Sequence, residues 1–133
     1  PLDRAIVRRA GRDLSLITFG GTLATCLTAA EQLAAEGIEA EVIDLRTLRP
    51  LDMEPVYESF KKTNRAVIVE EGWRSYGVGA EVAARLYEEC FDYLDAPIQR
   101  VAQKEVPLPY SAELEKSAIP NPNEVVKAVK AVM

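Results

Sequence analysis

The sequence predicts a three-layer α/β/α domain built on a mostly parallel sheet. Apolar runs of strand length occur at Leu14–Phe19, Glu39–Leu45, Arg65–Glu70 and Pro97–Ala102, and continuous rather than alternating runs are expected of strands buried on both faces. Segments with apolar residues at helical spacing separate them, which gives the β-α-β-α order of parallel sheets. Glycine or proline punctuates most of the junctions.

Taken in order, "AIVRRAGRDLSLITF" reads as two short strands about a turn at Ala10-Gly11-Arg12, the second buried. Gly20-Gly21 closes that strand, and Thr22 is placed to cap a helix reaching Glu36. Leu23, Leu27, Ala30 and Ala34 would form its inner face, and Gly37 would end it as a left-handed cap. After the strand Glu39–Leu45 comes a turn at Pro50, an N-cap at Asp52 and a helix turning Val56, Tyr57 and Phe60 inward. Pro55 is tolerated there because a first-turn residue has no intrahelical N–H bond to lose. The strand Arg65–Glu70 leads through Gly77 and Gly79 into a helix over Val78–Asp92 with Val82, Leu86 and Cys90 inward. The strand Pro97–Ala102 is expected near an edge, because proline opens it. Gln103–Pro122 carries four prolines without a clear period and is expected to be an irregular crossing. Asn121, Pro122 and Glu124 have the spacing of a capping box for a last helix with a Val125, Val126, Val129, Val132 stripe.

Composition excludes several classes of function. The 133 residues suffice for one core, and 48% apolar with 28% charged residues is a globular profile. A net charge of −5 without a basic run argues against a nucleic-acid partner. No run has the length of a membrane span. There is no histidine, which removes the commonest general acid/base and the commonest metal ligand. Cys26 and Cys90 are expected as buried free thiols in a reducing compartment. The chain opens on Pro1 rather than Met, as a piece of a longer chain would.

Two turns have the outline of phosphate loops. Gly77 and Gly79 give half of a dinucleotide fingerprint, with Val82 where a third glycine would stand, and no Lys-Ser/Thr follows as in a Walker loop. Glu70, Glu71 and Glu81 would repel a diphosphate there. Close packing is the favoured reading, here and at Gly20-Gly21. Glu70 and Glu71 as adjacent strand residues point to opposite faces, a poor arrangement for a catalytic pair. Arg46 and Arg49 lie at the carboxyl end of a strand, where open α/β sheets bind ligands. They suit an interface or internal pairing, or alternatively a small carboxylate. Trp73, Arg74 and Tyr76 either form a protein–protein hot spot or only cover the sheet's end.

The segments "VIDLRTLRPLD", "VEEGW…GVGAEVAAR", "FDYLDAPIQRV" and "VPLPYSAELEKSAIPNPNEVVKAVK" together resemble, in order, the carboxyl-terminal domain of the beta subunits of thiamine-diphosphate-dependent 2-oxo acid dehydrogenases, in the transketolase-like family. "EEGW", "LDAP" and "PLPY" look most like the pyruvate dehydrogenase type. The sequence departs from the family pattern at Ala102-Gln103-Lys104-Glu105 and at Asp3-Arg4, both expected in loops. The resemblance implies that residues 1–12 are a linker strand from a preceding domain and that 13–133 form the transketolase C-terminal-like domain. It implies that thiamine diphosphate and Mg belong to the parent enzyme and lie outside this domain, which supplies no catalytic, cofactor or metal residues. The implied partners are an alpha subunit, a second beta subunit and the basic subunit-binding domain of the dihydrolipoyl acyltransferase, with Asp95, Asp92 and Met133 as docking residues. The implied compartment is bacterial cytoplasm, the mitochondrial matrix or a plastid. An independent module binding an anionic ligand at the strand carboxyl ends is the alternative.

Overall fold

The computed structural model describes residues 2–105 and 111–133, the side chains at 115–117 excepted. The elements run β1 (Ile6–Arg9), β2 (Leu14–Thr18), α1 (Thr22–Ala35), β3 (Ala40–Asp44), α2 (Glu54–Thr63), β4 (Ala66–Trp73), α3 (Val78–Cys90), a 3-10 turn (Phe91–Tyr93), β5 (Gln99–Gln103), α4 (Ala112–Ala118) and α5 (Pro122–Val132). They form a five-stranded sheet in the order β1-β3-β2-β4-β5. β1 is antiparallel at one edge, and the other strands are parallel, with β5 at the opposite edge as Pro97 predicts.

Register assigns each strand side chain to a face. Leu16 stands beside Val42 and Val67, and these residues, with Leu14 and Val69, pack against Cys26, Ala29, Ala30 and Leu33 of α1 and Val125, Val129 and Val132 of α5. The intervening residues Ile17, Ile43 and Ile68 face the other way, onto Val56 and Phe60 of α2 and Val82, Leu86 and Cys90 of α3. This two-face burial is why the runs are continuous. Ser15 falls among them on the α2 side and is satisfied by the hydroxyls of Ser59 at 2.6 Å and Thr63 at 2.7 Å. A buried polar residue without such partners would be costly.

Several expectations need correction. Gly21, not Thr22, is the N-cap of α1. The Thr22 hydroxyl turns inward, sharing a 2.6 Å bond with Thr18 and reaching the Phe19 carbonyl at 3.0 Å. The buried stripe of α1 is Thr22, Cys26, Ala29, Ala30 and Leu33, about one position from the predicted one. Leu23 and Leu27 flank it, half-buried, because small residues let the helix sit close to the sheet. Met53 takes the cap position of α2, while the Asp52 carboxylate accepts from the Glu54 N–H at 3.3 Å and the Ala5 N–H at 3.0 Å. α3 ends at Cys90, so Asp92 lies in the 3-10 turn. β4 runs three residues past Glu70, which makes Trp73 a strand residue opposite Gln103. The expected irregular crossing contains α4, seven residues long; the part of it at 106–110 lies outside the described residues. Asn121 caps α5 as its spacing suggests: its side-chain oxygen accepts from the Glu124 N–H at 2.9 Å, and its side-chain amide donates to the Glu124 carboxylate at 2.9 Å. Gly37 has φ +83 after α1, and both cysteines are free and buried.

Candidate functional site

The parallel strands stand in the order β3-β2-β4-β5, so the chain leaves β2 and β4 toward opposite faces. The crevice between the carboxyl ends of β2 and β4 is the position at which open α/β sheets take ligands. Here two carboxylates of β4 stand on either side of it, Glu70 buried and Glu71 exposed. Glu70 is 2% exposed and points to the α3 face. Its Oε2 accepts the Gly79 N–H at 2.7 Å, the place a bound phosphate would take at a helix N-terminus. A Cβ at Gly77 would fall under 3.0 Å from Glu70 Oε1 and from the Trp73 carbonyl. Glu71 points to the other face, where its carboxylate fills the space a Cβ would need at Gly21. The Gly77–Gly79 turn is therefore packed against the protein's own buried carboxylate, whereas the Gly20-Gly21 turn meets only the tip of the exposed Glu71 side chain and owes Gly20 to its left-handed φ of +66°.

Arg100 completes the Glu70 site. Its Nη2 lies 3.9 Å from Glu70 Oε1 and also donates to the Arg74 carbonyl, which ties the loop after Trp73 to β5. Burial pushes the Glu70 carboxyl above its ordinary range; the Gly79 N–H and the Arg100 charge oppose that only in part. Burial likewise pushes the Cys26 thiol up to about 12, against a hydrogen bond with Thr18, so this sulfur is held as an unreactive thiol. Among the described residues no group of three or more Cys, Asp or Glu is placed to hold a metal ion.

The interface candidates share the strand carboxyl end. Arg46 and Arg49 line an open hollow of about 600 Å³ with Asp3 and Asp44. The Asp44 carboxylate accepts the Arg46 backbone N–H at 2.9 Å, and among the described residues neither arginine side chain has an acidic partner at ion-pair distance. Trp73 is 47% and Tyr76 104% exposed. Arg46 and Tyr76 hold φ of 65° and 59°, a left-handed conformation uncommon for such residues. Trp73 thus extends the sheet through β4 while leaving half of its surface outward.

The docking candidates form a separate corner. Asp95 follows the 3-10 turn, and its N–H donates to the Asn64 carbonyl at 3.0 Å. The Asn64 side chain in turn donates to the Tyr93 carbonyl at 2.8 Å. Asn64 is the left-handed C-cap of α2, so a helix end fixes the loop. Arg65 joins this loop to the last helix: its Nη1 is 3.8 Å from the Asp95 carboxylate and its Nε donates to the Val132 carbonyl at 2.8 Å. Asp95 and the residue preceding Met133 are thus bound to one guanidinium. Asp92 is exposed in the neighbouring turn. Arg65 carries no local signal in the sequence, and its role emerges only when β4 is placed beside α5.

Comparison with known proteins agrees with this architecture. Residues 3–125 match the family described as transketolase, C-terminal domain. The chain is 52% identical, over 99% of its length, to the pyruvate dehydrogenase E1 component subunit beta of Rhizobium meliloti (strain 1021), of which it covers 29%. It is 48% identical over 99% of its length to the mitochondrial pyruvate dehydrogenase E1 component subunit beta of Dictyostelium discoideum, covering 37% of that protein. The chain thus spans about a third of the length of these curated relatives. A solved structure described as a split gene transketolase, inactive beta4 tetramer, superposes with a TM-score of 0.85 at 32% identity, over 99% of this chain and 42% of that one. The matching family model, read with the five-stranded sheet and its two helical layers, leads to one assignment: the chain belongs to the transketolase C-terminal domain family.

Proposed function

We propose that this chain is the carboxyl-terminal domain of a pyruvate dehydrogenase beta subunit, and that it serves the oxidative decarboxylation of pyruvate by assembly and docking rather than by supplying catalytic groups. The observation that carries the reading is the high identity along 99% of the chain to pyruvate dehydrogenase beta subunits of which it is only a part. The parent enzyme would use thiamine diphosphate and Mg bound outside this domain. The sequence without histidine and the Gly77–Gly79 turn occupied by the buried Glu70 carboxylate support that placement. No described helix is long and apolar enough to cross a membrane, and the relatives named above include a bacterial and a mitochondrial protein. The domain would work in bacterial cytoplasm, or in the mitochondrial matrix or a plastid.

In this reading the carboxyl-end surface, with Arg46, Arg49, Trp73, Arg74 and Tyr76, meets the alpha subunit or a second beta subunit. The corner of Asp95, Asp92 and Met133 receives the basic subunit-binding domain of the dihydrolipoyl acyltransferase. Opposite charge steers such an encounter and fixes its register. Asp95 is suited to the role because its pairing with Arg65 is loose and exposed, leaving the carboxylate available to a second cation. Calorimetric titration of the chain with the acyltransferase subunit-binding domain at low salt tests this. Asp95→Ala is expected to weaken binding about tenfold or more, and unchanged affinity removes Asp95 from the docking surface.

A further inference from the structure

Two consecutive residues at the junction of α2 and β4, Asn64 and Arg65, hold the Asp95 corner together. Asn64 has φ 63°, ψ 4° and ends α2 as a left-handed cap, its N–H donating to the Phe60 carbonyl at 2.7 Å. Asparagine tolerates that conformation better than most residues with a side chain. Its carbonyl accepts the Asp95 N–H at 3.0 Å, and its side-chain amide donates to the Tyr93 carbonyl at 2.8 Å. Leu94, between these two bonds, packs against the core on the α2 and α3 side. Arg65 then reaches the Asp95 carboxylate at 3.8 Å and the Val132 carbonyl at 2.8 Å. The Arg65 backbone is itself fixed, since its carbonyl accepts the Ser15 N–H at 2.8 Å and the Thr63 hydroxyl at 3.2 Å. The cap alone would favour glycine. What asparagine adds to glycine here is the bond to Tyr93, directed at the loop and not at its own helix.

We infer that Asn64 is the positioning residue of the docking corner: its two bonds to the Tyr93–Asp95 loop preorganise the Asp95 carboxylate for a cation of the partner. This rests on the docking reading above and adds to it a residue that acts through Asp95 without carrying charge. A loop that must be ordered on binding loses affinity to that ordering, and one held in place beforehand does not. The ion pair with Arg65 is too long and too exposed to fix the carboxylate by itself. The backbone of Asp95 is therefore the part that must be held, and Asn64 holds it from both sides of Leu94.

The test is calorimetric titration of the 133-residue chain with the acyltransferase subunit-binding domain at low salt, with thermal denaturation beside each titration. The variants are Asn64→Gly, Asn64→Asp, Asp95→Ala and the double variant of Asn64→Gly with Asp95→Ala. Glycine suits a left-handed cap, so Asn64→Gly should keep the thermal midpoint of the parent. It should nevertheless weaken binding about three- to tenfold. Asn64→Asp keeps the shape but has no donor for the Tyr93 carbonyl, and it adds a negative charge that a basic partner favours. Weaker binding by this variant too runs against its charge and marks lost positioning; tighter binding overturns the inference. In the Asp95→Ala background Asn64→Gly should leave affinity nearly unchanged, because the group it positions is gone. An equal loss with and without Asp95 overturns the inference, since Asn64 would then act by another route. Affinity of Asn64→Gly equal to the parent's, with Asp95→Ala impaired, overturns it as well and leaves the docking reading intact. Failure of the parent chain to bind, or full affinity of Asp95→Ala, overturns the docking reading at Asp95 and the inference with it.

Discussion

Gly77→Ala separates a packed turn from a ligand loop by the sign of its effect. Gly77 sits at φ −75°, ψ 167°, a conformation any residue adopts. On backbone grounds alone, alanine would stabilise by about 0.4–1 kcal/mol through the unfolded state. The structure predicts the reverse. The new Cβ would lie under 3.0 Å from the Trp73 carbonyl, which β4 holds, and from Glu70 Oε1. Overpacking of this kind costs about 1–3 kcal/mol. Pushing the Glu70 carboxylate off the Gly79 N–H forfeits a charge-assisted bond worth about 1.5–3 kcal/mol. The combined expectation is a loss of about 3–5 kcal/mol, read as a urea midpoint lowered by about 2 M for a slope near 2 kcal/mol/M. In a Glu70→Ala background one of the two clashes is gone, and the same substitution should cost at least about 1 kcal/mol less. An unchanged or raised midpoint for Gly77→Ala would refute the packing account of this turn.

Three further outcomes are expected. Glu70 has a raised pKa in the fold, so its contribution to stability is fully present below the ordinary carboxylate value and is lost as pH rises through the raised one. The stability of Glu70→Gln relative to the parent should therefore climb from about pH 4 toward neutrality, and a pH-independent difference in urea unfolding would contradict this. Tyr76 holds a left-handed φ and is fully exposed, so Tyr76→Gly should raise the denaturation midpoint by the equivalent of about 1 kcal/mol; a drop would mean that the ring makes contacts within the chain that offset the strain. Pyrophosphate and nucleotides should leave the melting temperature unchanged, although a ligand at a hundred times its dissociation constant would add about 2.7 kcal/mol, and a shift with any of them would revive the anion-binding module.

Much of the fold was legible because the signals are local. The runs Leu14–Thr18 and Ala66–Val69 are buried on both faces, and the Asn121–Glu124 spacing forms the cap it suggests. The stripe of α1 was misplaced because leucines outweigh threonine, cysteine and alanine in an apolar count, whereas close approach to the sheet selects the small residues. α4 was missed because seven residues among prolines are too few to show a period. The candidate site was less legible. Glu70 and Glu71 were readable as hostile to phosphate, but the burial of Glu70 against the Gly77–Gly79 turn depends on side-chain direction and on how α3 packs on β4. The bond from Arg65 to Val132 spans 67 residues and has no local trace.

The most direct trial of a surface-providing rather than catalytic domain is a decarboxylation assay on the purified chain alone, with pyruvate, thiamine diphosphate, Mg and an electron acceptor. No release of carbon dioxide above the protein-free control is the outcome predicted here. Sustained turnover by the isolated chain would contradict it.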